Sequence, residues 1–331
     1  MKYGHFSKCG KAFTVTNPRT PTPWTNYLYN DSYMSSIDQL LQGKSKFVIN
    51  YSQTDFTKGD RSFYLRDNES GEICHLNSAS SEGYSCSHHL NKTVLTRVAL
   101  GITAKIRIFV PTTDILEYWT VTLTNDTSKA RSVSLFSSVG FPDESPMGGS
   151  CVFQDGVIYK YSFPYHVYYH EKEKVEGKRA YYYMTSDIEP STVDMSKNRF
   201  WGGYITDGIP AAVKNGACSN VIGEVEDFIG AMHHTFSIGA KETKSLTIAV
   251  GAAVTKDEMK AVKKRLTAEL VEAEMKKSDE RWDELTSTYK IHTPNEEFNH
   301  LVNYWLKKQS SLLTRLNRMG TYCPIRTQFQ D

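Results

Sequence analysis

No stretch of this sequence approaches the roughly 18 consecutive apolar residues that a membrane-crossing helix requires, so no such helix is expected. The opening residues, MKYGHFSKCGKAF, lack the apolar core of a secretory signal. Cysteine is sparse. Six residues (9, 74, 86, 151, 218 and 323) are scattered over 331 positions with no C-x-x-C pair. Without a signal they are expected to be reduced thiols of a cytoplasmic protein, not a disulfide framework. Charge of one sign is also missing. The net formal charge is +2, with acids and bases interspersed, so nucleic acid is not an expected partner. The G-x-S-x-G elbow, the P-loop and the dinucleotide fingerprint are all absent.

Aromatic residues, by contrast, are abundant at 12%, and twenty of them are Tyr. Such rings favour strands and also offer faces on which sugars stack. From about residue 5 to 252 the dominant period is two. AKIRIFV sets Ile106, Ile108 and Val110 against Lys105 and Arg107. EYWTVTLTN sets Trp119, Val121 and Leu123 against Tyr118, Thr120 and Thr122, and TKSLTIAVGAA aligns Leu246, Ile248 and Val250. Asn125-Asp126 and Gly202-Gly203 punctuate as turns. This alternation predicts half-buried antiparallel strands assembled as a large β-sandwich.

The period then changes. Residues 255–289 contain no Gly or Pro, and Met259, Val262, Leu266 and Leu270 recur at helical spacing. Thr255 with Glu258 reads as a capping box, so one long amphipathic helix is predicted. Pro294 interrupts it, and a second helix restarts over Glu296 to Leu316. Its apolar set, including Trp305, Leu306, Leu312 and Leu313, is expected to dock on residues 255–289 or to drive self-association.

Several polar clusters invite chemistry. His233 and His234 are neighbours on a predicted strand, so they point to opposite faces and do not converge on one metal. His88-His89 beside Cys86 lacks a second ligand pair at finger spacing, and SEGYSCSHH reads as a polar loop. No metal is therefore expected. Asp143 and Glu144, in FPDESPMGGS, are a carboxylate pair of the type used in glycoside chemistry, or simply solvated neighbours. The last residues differ. Arg326, Gln330 and Asp331 combine a fork of donors, an amide and a carboxylate within six positions. That set suits bidentate contacts to vicinal sugar hydroxyls, and equally a structural ion pair or cap.

Several stretches, taken in order, resemble glycoside hydrolase family 94. This family holds the inverting cellobiose and chitobiose phosphorylases and the cyclic β-1,2-glucan synthases. NPRTPTPWTNYL resembles the family's opening T-P-x-P-W-x-N-Y-L. RSFYLRD, FVPTTDILEYWTVTLTN and RFWGGYITDGIPAAVKNGACSN resemble its sandwich strands. HTPNEEFNHLVNYWLKKQ resembles the start of its barrel, and IRTQFQD its R-D-x-x-Q-D loop. The likeness covers nearly the whole chain.

The resemblance implies a mainly β fold: a large antiparallel β-supersandwich, then a helical linker and the first helix of an (α/α)6 barrel. The implied domains are residues 1–252, 253–290 and 291–331. Arg326, Gln330 and Asp331 would bind carbohydrate. The general acid is expected beyond Asp331, so no catalytic residue is assigned within the chain. No cofactor is implied, inorganic phosphate being a co-substrate, and the full-length parent would be a homodimer. Thr327 stands where the family's better-known members carry Asp. The competing reading is a carbohydrate-binding or assembly module with no catalysis of its own.

Overall fold

The computed structural model describes residues 3–49, 52–55, 61–141, 149–162, 181–203, 208–224 and 227–319. Three antiparallel sheets dominate them. The largest has ten strands, in the order Gly4–Phe6, Ala12–Val15, Tyr84–His89, Lys92–Ala99, Ile102–Phe109, Leu116–Asn125, Thr243–Ala253, Tyr181–Ser186, Val157–Ser162 and Gly149–Gln154. A five-stranded sheet runs Thr192–Ser196, Phe228–Ile238, Arg131–Gly140, Ser62–Asp67, Ile73–His75. A four-stranded sheet runs from Asn26–Tyr29 through Tyr33–Ile37 and Ser45–Ile49 to Ser52–Asp55.

Alternation sets the register. Val15, Cys86, Leu95, Ile106, Val121 and Leu246 are successive cross-strand partners, forming one apolar row across six strands. A parallel row joins Ile108, Trp119 and Ile248. Both rows face the smaller sheets and make the main core with Leu28, Tyr33, Phe63, Leu65, Leu135 and Met232. A one-residue slip would turn these rows outward, which is why the register is well specified.

The outer face of the large sheet departs from simple alternation. Tyr118, expected among the outward polar residues, is fully buried with Phe109 and Tyr183. The cause is a layer of helices: Met259, Val262, Leu266, Val271 and Met275 pack there. The layer is two helices, Lys256–Arg265 and Ala268–Ser287, not the single long one that the sequence predicts. Thr267 makes the break. Its extended backbone and its hydroxyl, which accepts from the Leu270 N–H at 3.2 Å, start a fresh helix. Leu266 meanwhile drops into the core. Thr255 caps the first helix in the same way, at 3.2 Å from the Glu258 N–H. The segment read as a polar loop, SEGYSCSHH, instead contains the strand Tyr84–His89, with alternating burial.

A buried ion pair joins the three sheets. The Arg61 guanidinium donates to both Glu117 carboxylate oxygens, at 2.7 and 3.0 Å. It also donates to Ser35 Oγ, Ser45 Oγ and the Gly43 carbonyl. Trp119 Nε1 donates to the same carboxylate at 2.7 Å. Burial pushes the Glu117 carboxyl up, but the Arg61 charge and its hydrogen bonds outweigh that and hold it below the usual range. Every strong donor and acceptor is thus matched, which is the condition under which a buried pair is tolerated.

No helix among the described residues is long and apolar enough to cross a membrane. The five described cysteines, at 9, 74, 86, 151 and 218, are all free thiols.

Candidate functional site

Arg326, Thr327, Gln330 and Asp331 lie outside the described residues, as do Asp143 and Glu144. The structure does describe the helix that precedes Arg326 in the sequence. This is a continuous helical run, Glu296–His300, Leu301–Trp305 and Leu306–Met319, whose middle turn is π-helical. Asn295 caps it, its side chain accepting from the Phe298 N–H at 3.0 Å. Two buried asparagines then clamp the segment before it. Asn303 bonds both the N–H and the carbonyl of Ile291, at 2.8 and 2.9 Å. Asn299 does the same at Thr293, at 2.9 and 2.8 Å. The chain entering the helix is thereby held at four backbone groups.

The helix docks on both the sandwich and the linker-like helices through Trp305 and Leu312, whereas Leu306 and Leu313 of the expected apolar set stay exposed. Trp305 Nε1 donates to the Gly10 carbonyl at 2.9 Å. Gly10 has φ +73°, and a Cβ there would fall 2.3 Å from the His300 ring, so only glycine fits this approach. Leu312 enters a cluster with Tyr29, Met34, Leu90 and Trp282. Lys308 follows it inward and is 5% exposed. Its ammonium donates to Asn26 Oδ1 and lies 5.6 and 5.7 Å from the Trp282 and Trp305 ring centres. Those faces attract a cation. Burial nevertheless pushes its pKa from 10.5 down to about 7.

Asn26 organises the neighbourhood. Its amide donates to the His89 carbonyl at 2.9 Å and to Thr93 Oγ1 at 3.1 Å. Thr93 Oγ1 in turn lies 3.0 Å from His88 Nδ1. Burial, with the Lys308 charge second, lowers His88 to about 3. His88 and Cys86 are thus spent on packing: the thiol lies in the inter-sheet core, and burial pushes its pKa up. His233 and His234 divide as expected. His233 meets Thr192 and Ser134 on one face, and His234 meets Ser186 and the Ile188 carbonyl on the other. Among the described residues no group of three or more His, Cys, Asp or Glu could hold a metal ion.

Described residues line two surface cavities that bear on the site. One, of 330 Å³, is lined by Phe6, Phe13, Trp24, Asn26, His88 and Trp305 among others. The other, of 580 Å³, lies at the end of the five-stranded sheet and is lined by Gln42, Ser62, Gly140, Lys197, Asn198, Trp201 and Asp227 among others. Sequence reasoning passed over Lys308, Asn26 and the second cavity. Lys308 sits in the run LKKQ, where a lysine reads as solvated. Its position one turn before Leu312, on the same helical face, was the available signal.

The model of the family described as glycosyl hydrolase 94, supersandwich domain, matches residues 11–269. The chain is 36% identical to a 3-O-β-D-glucopyranosyl-β-D-glucuronide phosphorylase of Paenibacillus borealis, over 99% of this chain and 43% of the relative. It is 28% identical to a solabiose phosphorylase of the same organism, over 99% and 45%. It is 24% identical to an N,N'-diacetylchitobiose phosphorylase of Vibrio proteolyticus, over 98% and 42%. The chain thus spans less than half the length of these relatives. A solved structure from the human microbiome, described as a kojibiose phosphorylase, superposes with a TM-score of 0.56 at 10% identity, over 93% of this chain and 42% of that one, a likeness of fold. With the supersandwich model matched along most of its length, the chain belongs to glycoside hydrolase family 94.

Proposed function

We propose that this chain is the N-terminal part of an inverting β-glycoside phosphorylase. The full-length protein would take a β-linked disaccharide or oligosaccharide and inorganic phosphate to an α-sugar 1-phosphate. Residues 1–252 would be its supersandwich domain, 253–290 its linker and 291–331 the start of its (α/α)6 barrel. It would work as a cytoplasmic homodimer without a cofactor. One observation carries this reading: the chain aligns almost end to end with disaccharide phosphorylases while spanning under half of each. The last helix is consistent with it. Phe298, Leu301, Leu306 and Leu313 are 41–48% exposed, as suits a helix with further partners in a longer protein.

In the proposed reaction a carboxylic acid beyond Asp331 protonates the glycosidic oxygen. Phosphate attacks the anomeric carbon from the opposite face, taking the place of the base-activated water of an inverting hydrolase, so one carboxyl suffices. Arg326, Gln330 and Asp331 hold the sugar on the donor side of the scissile bond, and the side chain at 327 tunes which sugar fits.

The test is a protein extended through the barrel. It is incubated with phosphate and β-linked disaccharides of glucose, of N-acetylglucosamine and of glucose with glucuronate. Phosphate-dependent release of the α-anomer of a sugar 1-phosphate is expected, and none from the 331-residue chain alone. A β-anomer, or turnover without phosphate, would overturn the proposal. In the extended protein Arg326→Ala and Asp331→Asn should each lower kcat/KM by about 10- to 100-fold with an unchanged Tm. Normal kinetics in both well-folded variants removes these residues from the site.

A further inference from the structure

We infer that the 580 Å³ cavity at the end of the five-stranded sheet is a second carbohydrate site, binding a neutral hexopyranose ring without transforming it. It is remote in sequence from Arg326, and it rests on the phosphorylase reading only for the choice of sugars to try.

Three elements meet at the cavity. Its floor is the outer face of the five-stranded sheet, where Gly140 pairs with Ile229 and Ser62 pairs with Ser138. One wall is Gln42, in the connection that follows the strand Tyr33–Ile37. The opposite wall is the short helix Lys197–Trp201, with Asp227 at the rim. The helix is anchored by Phe200, which is fully buried, and by the Arg199–Glu224 ion pair. Those anchors fix Trp201. Its indole stands edge-to-face with Tyr64 and Phe200, at 6.4 and 6.0 Å between centres. The chain then turns away at Gly202, φ +72°, where a Cβ would meet Ala211 Cβ at 2.6 Å. The half-buried indole is left as a wall of the cavity.

Two polar groups beside that wall are unspent. The Asn198 amide and the Asp227 carboxylate make no hydrogen bond with the described protein groups. Gln42 uses its Nε2 on the Arg61 carbonyl at 2.7 Å, which leaves Oε1 as an acceptor. The Ser62 hydroxyl adds a small donor and acceptor at the floor. An aromatic wall beside a carboxylate and two planar amides matches one ligand chemistry. A pyranose offers an apolar C–H face to the indole and vicinal hydroxyls to the carboxylate and amides. Other classes fit less well. The Asp227 carboxylate disfavours an anion. A metal would lack a ligand set among the described residues. An apolar ligand would strip water from the carboxylate without replacing it. The volume lies within the usual range for small-ligand sites, about 300–1,000 Å³.

The experiment is saturation-transfer NMR and calorimetry on the 331-residue protein without phosphate. The probes are methyl β-D-glucopyranoside, methyl N-acetyl-β-D-glucosaminide, cellobiose and N,N'-diacetylchitobiose. They separate recognition of one ring from recognition of a chain. Binding on the order of millimolar is expected, as for a few hydrogen bonds and one stacking face. Asp227→Ala, at an exposed side chain, should weaken it about tenfold. Trp201→Phe should weaken it less, and Arg326→Ala should leave it unchanged. Absence of binding overturns the inference, and so does binding indifferent to both Asp227→Ala and Trp201→Phe. Binding lost in Arg326→Ala places the sugar at Arg326, so this inference falls while the phosphorylase reading stands. Binding that follows the cavity variants, in a chain whose extended form shows no phosphorolysis, supports this site and removes the other reading.

Discussion

Arg61 and Lys308 are both buried cations, 0% and 5% exposed, yet their surroundings drive them in opposite directions. Arg61 meets a carboxylate, two hydroxyls and a carbonyl, and its pKa is raised, because the Glu117 charge outweighs the burial that would lower it. Lys308 meets one amide oxygen and two indole faces, and its pKa falls to about 7. Burial costs both. Only the sandwich supplies a counter-charge to offset it. The three sheets are therefore joined by a contact insensitive to ordinary pH, whereas the last helix is docked by one that titrates.

The largest expected effect comes from breaking the sandwich pair. Glu117→Gln keeps the shape but strands the Arg61 charge, and should cost about 3–5 kcal/mol in denaturant unfolding. Replacing both residues by apolar ones, Arg61→Met with Glu117→Leu, should recover much of that loss. A single variant less destabilised than the double one would mean that the pair does not hold the sheets together.

Lys308 gives the next effect, with a definite sign. Below about pH 7 the ammonium is charged both docked and undocked, and docking carries the full burial penalty. Between pH 7 and 10.5 the undocked form binds more protons, so docking strengthens as pH rises, and above 10.5 the penalty is gone. Hydrogen exchange over residues 296–313, corrected for intrinsic rates, reads this directly. Lys308→Met should flatten the pH dependence and stabilise docking at pH 6 by about 1–4 kcal/mol. Weaker docking in that variant, with the pH dependence intact, would show that the Asn26 and indole contacts outweigh burial and would erase the contrast with Arg61.

The smallest effect concerns the helix that links the two regions. Ala268–Ser287 carries Val271 and Met275 against the sandwich and Trp282 against Lys308. Thr267→Ala removes its cap and should cost about 1 kcal/mol. The loss should appear as faster exchange around Trp282 before any change in the sheets. An unchanged exchange pattern would mean that packing of Leu266 alone dictates the break.

Much of the sandwich is legible in the amino-acid order, because a strand's faces are set by local alternation. Ile106, Ile108, Trp119, Val121 and Leu246 announce their burial without reference to any partner. The same holds for His233 and His234, whose divergence follows from adjacency on a strand. Spacing located the helical stretch after residue 255 and the last helix, but Lys197–Trp201 and Ala211–Asn215 are helices within a stretch read as sandwich strands; the ordered family motifs were visible in the chain itself.

Tertiary structure decided the rest, wherever a side chain's state depends on what is packed over it. Tyr118 looks like a solvated strand residue until the Met259 and Val262 helix covers it. SEGYSCSHH looks like a loop, because serines and histidines are polar, until pairing with Lys92–Ala99 extends it. The long amphipathic run had no visible breaker, since a threonine caps a helix only when Leu266 has a core to enter. Lys308 reads as solvated by composition. Trp305, three residues earlier, is a neighbour on the same helical run, but Trp282 and Asn26, 26 and 282 residues away in sequence, arrive beside it only through the fold and decide its burial.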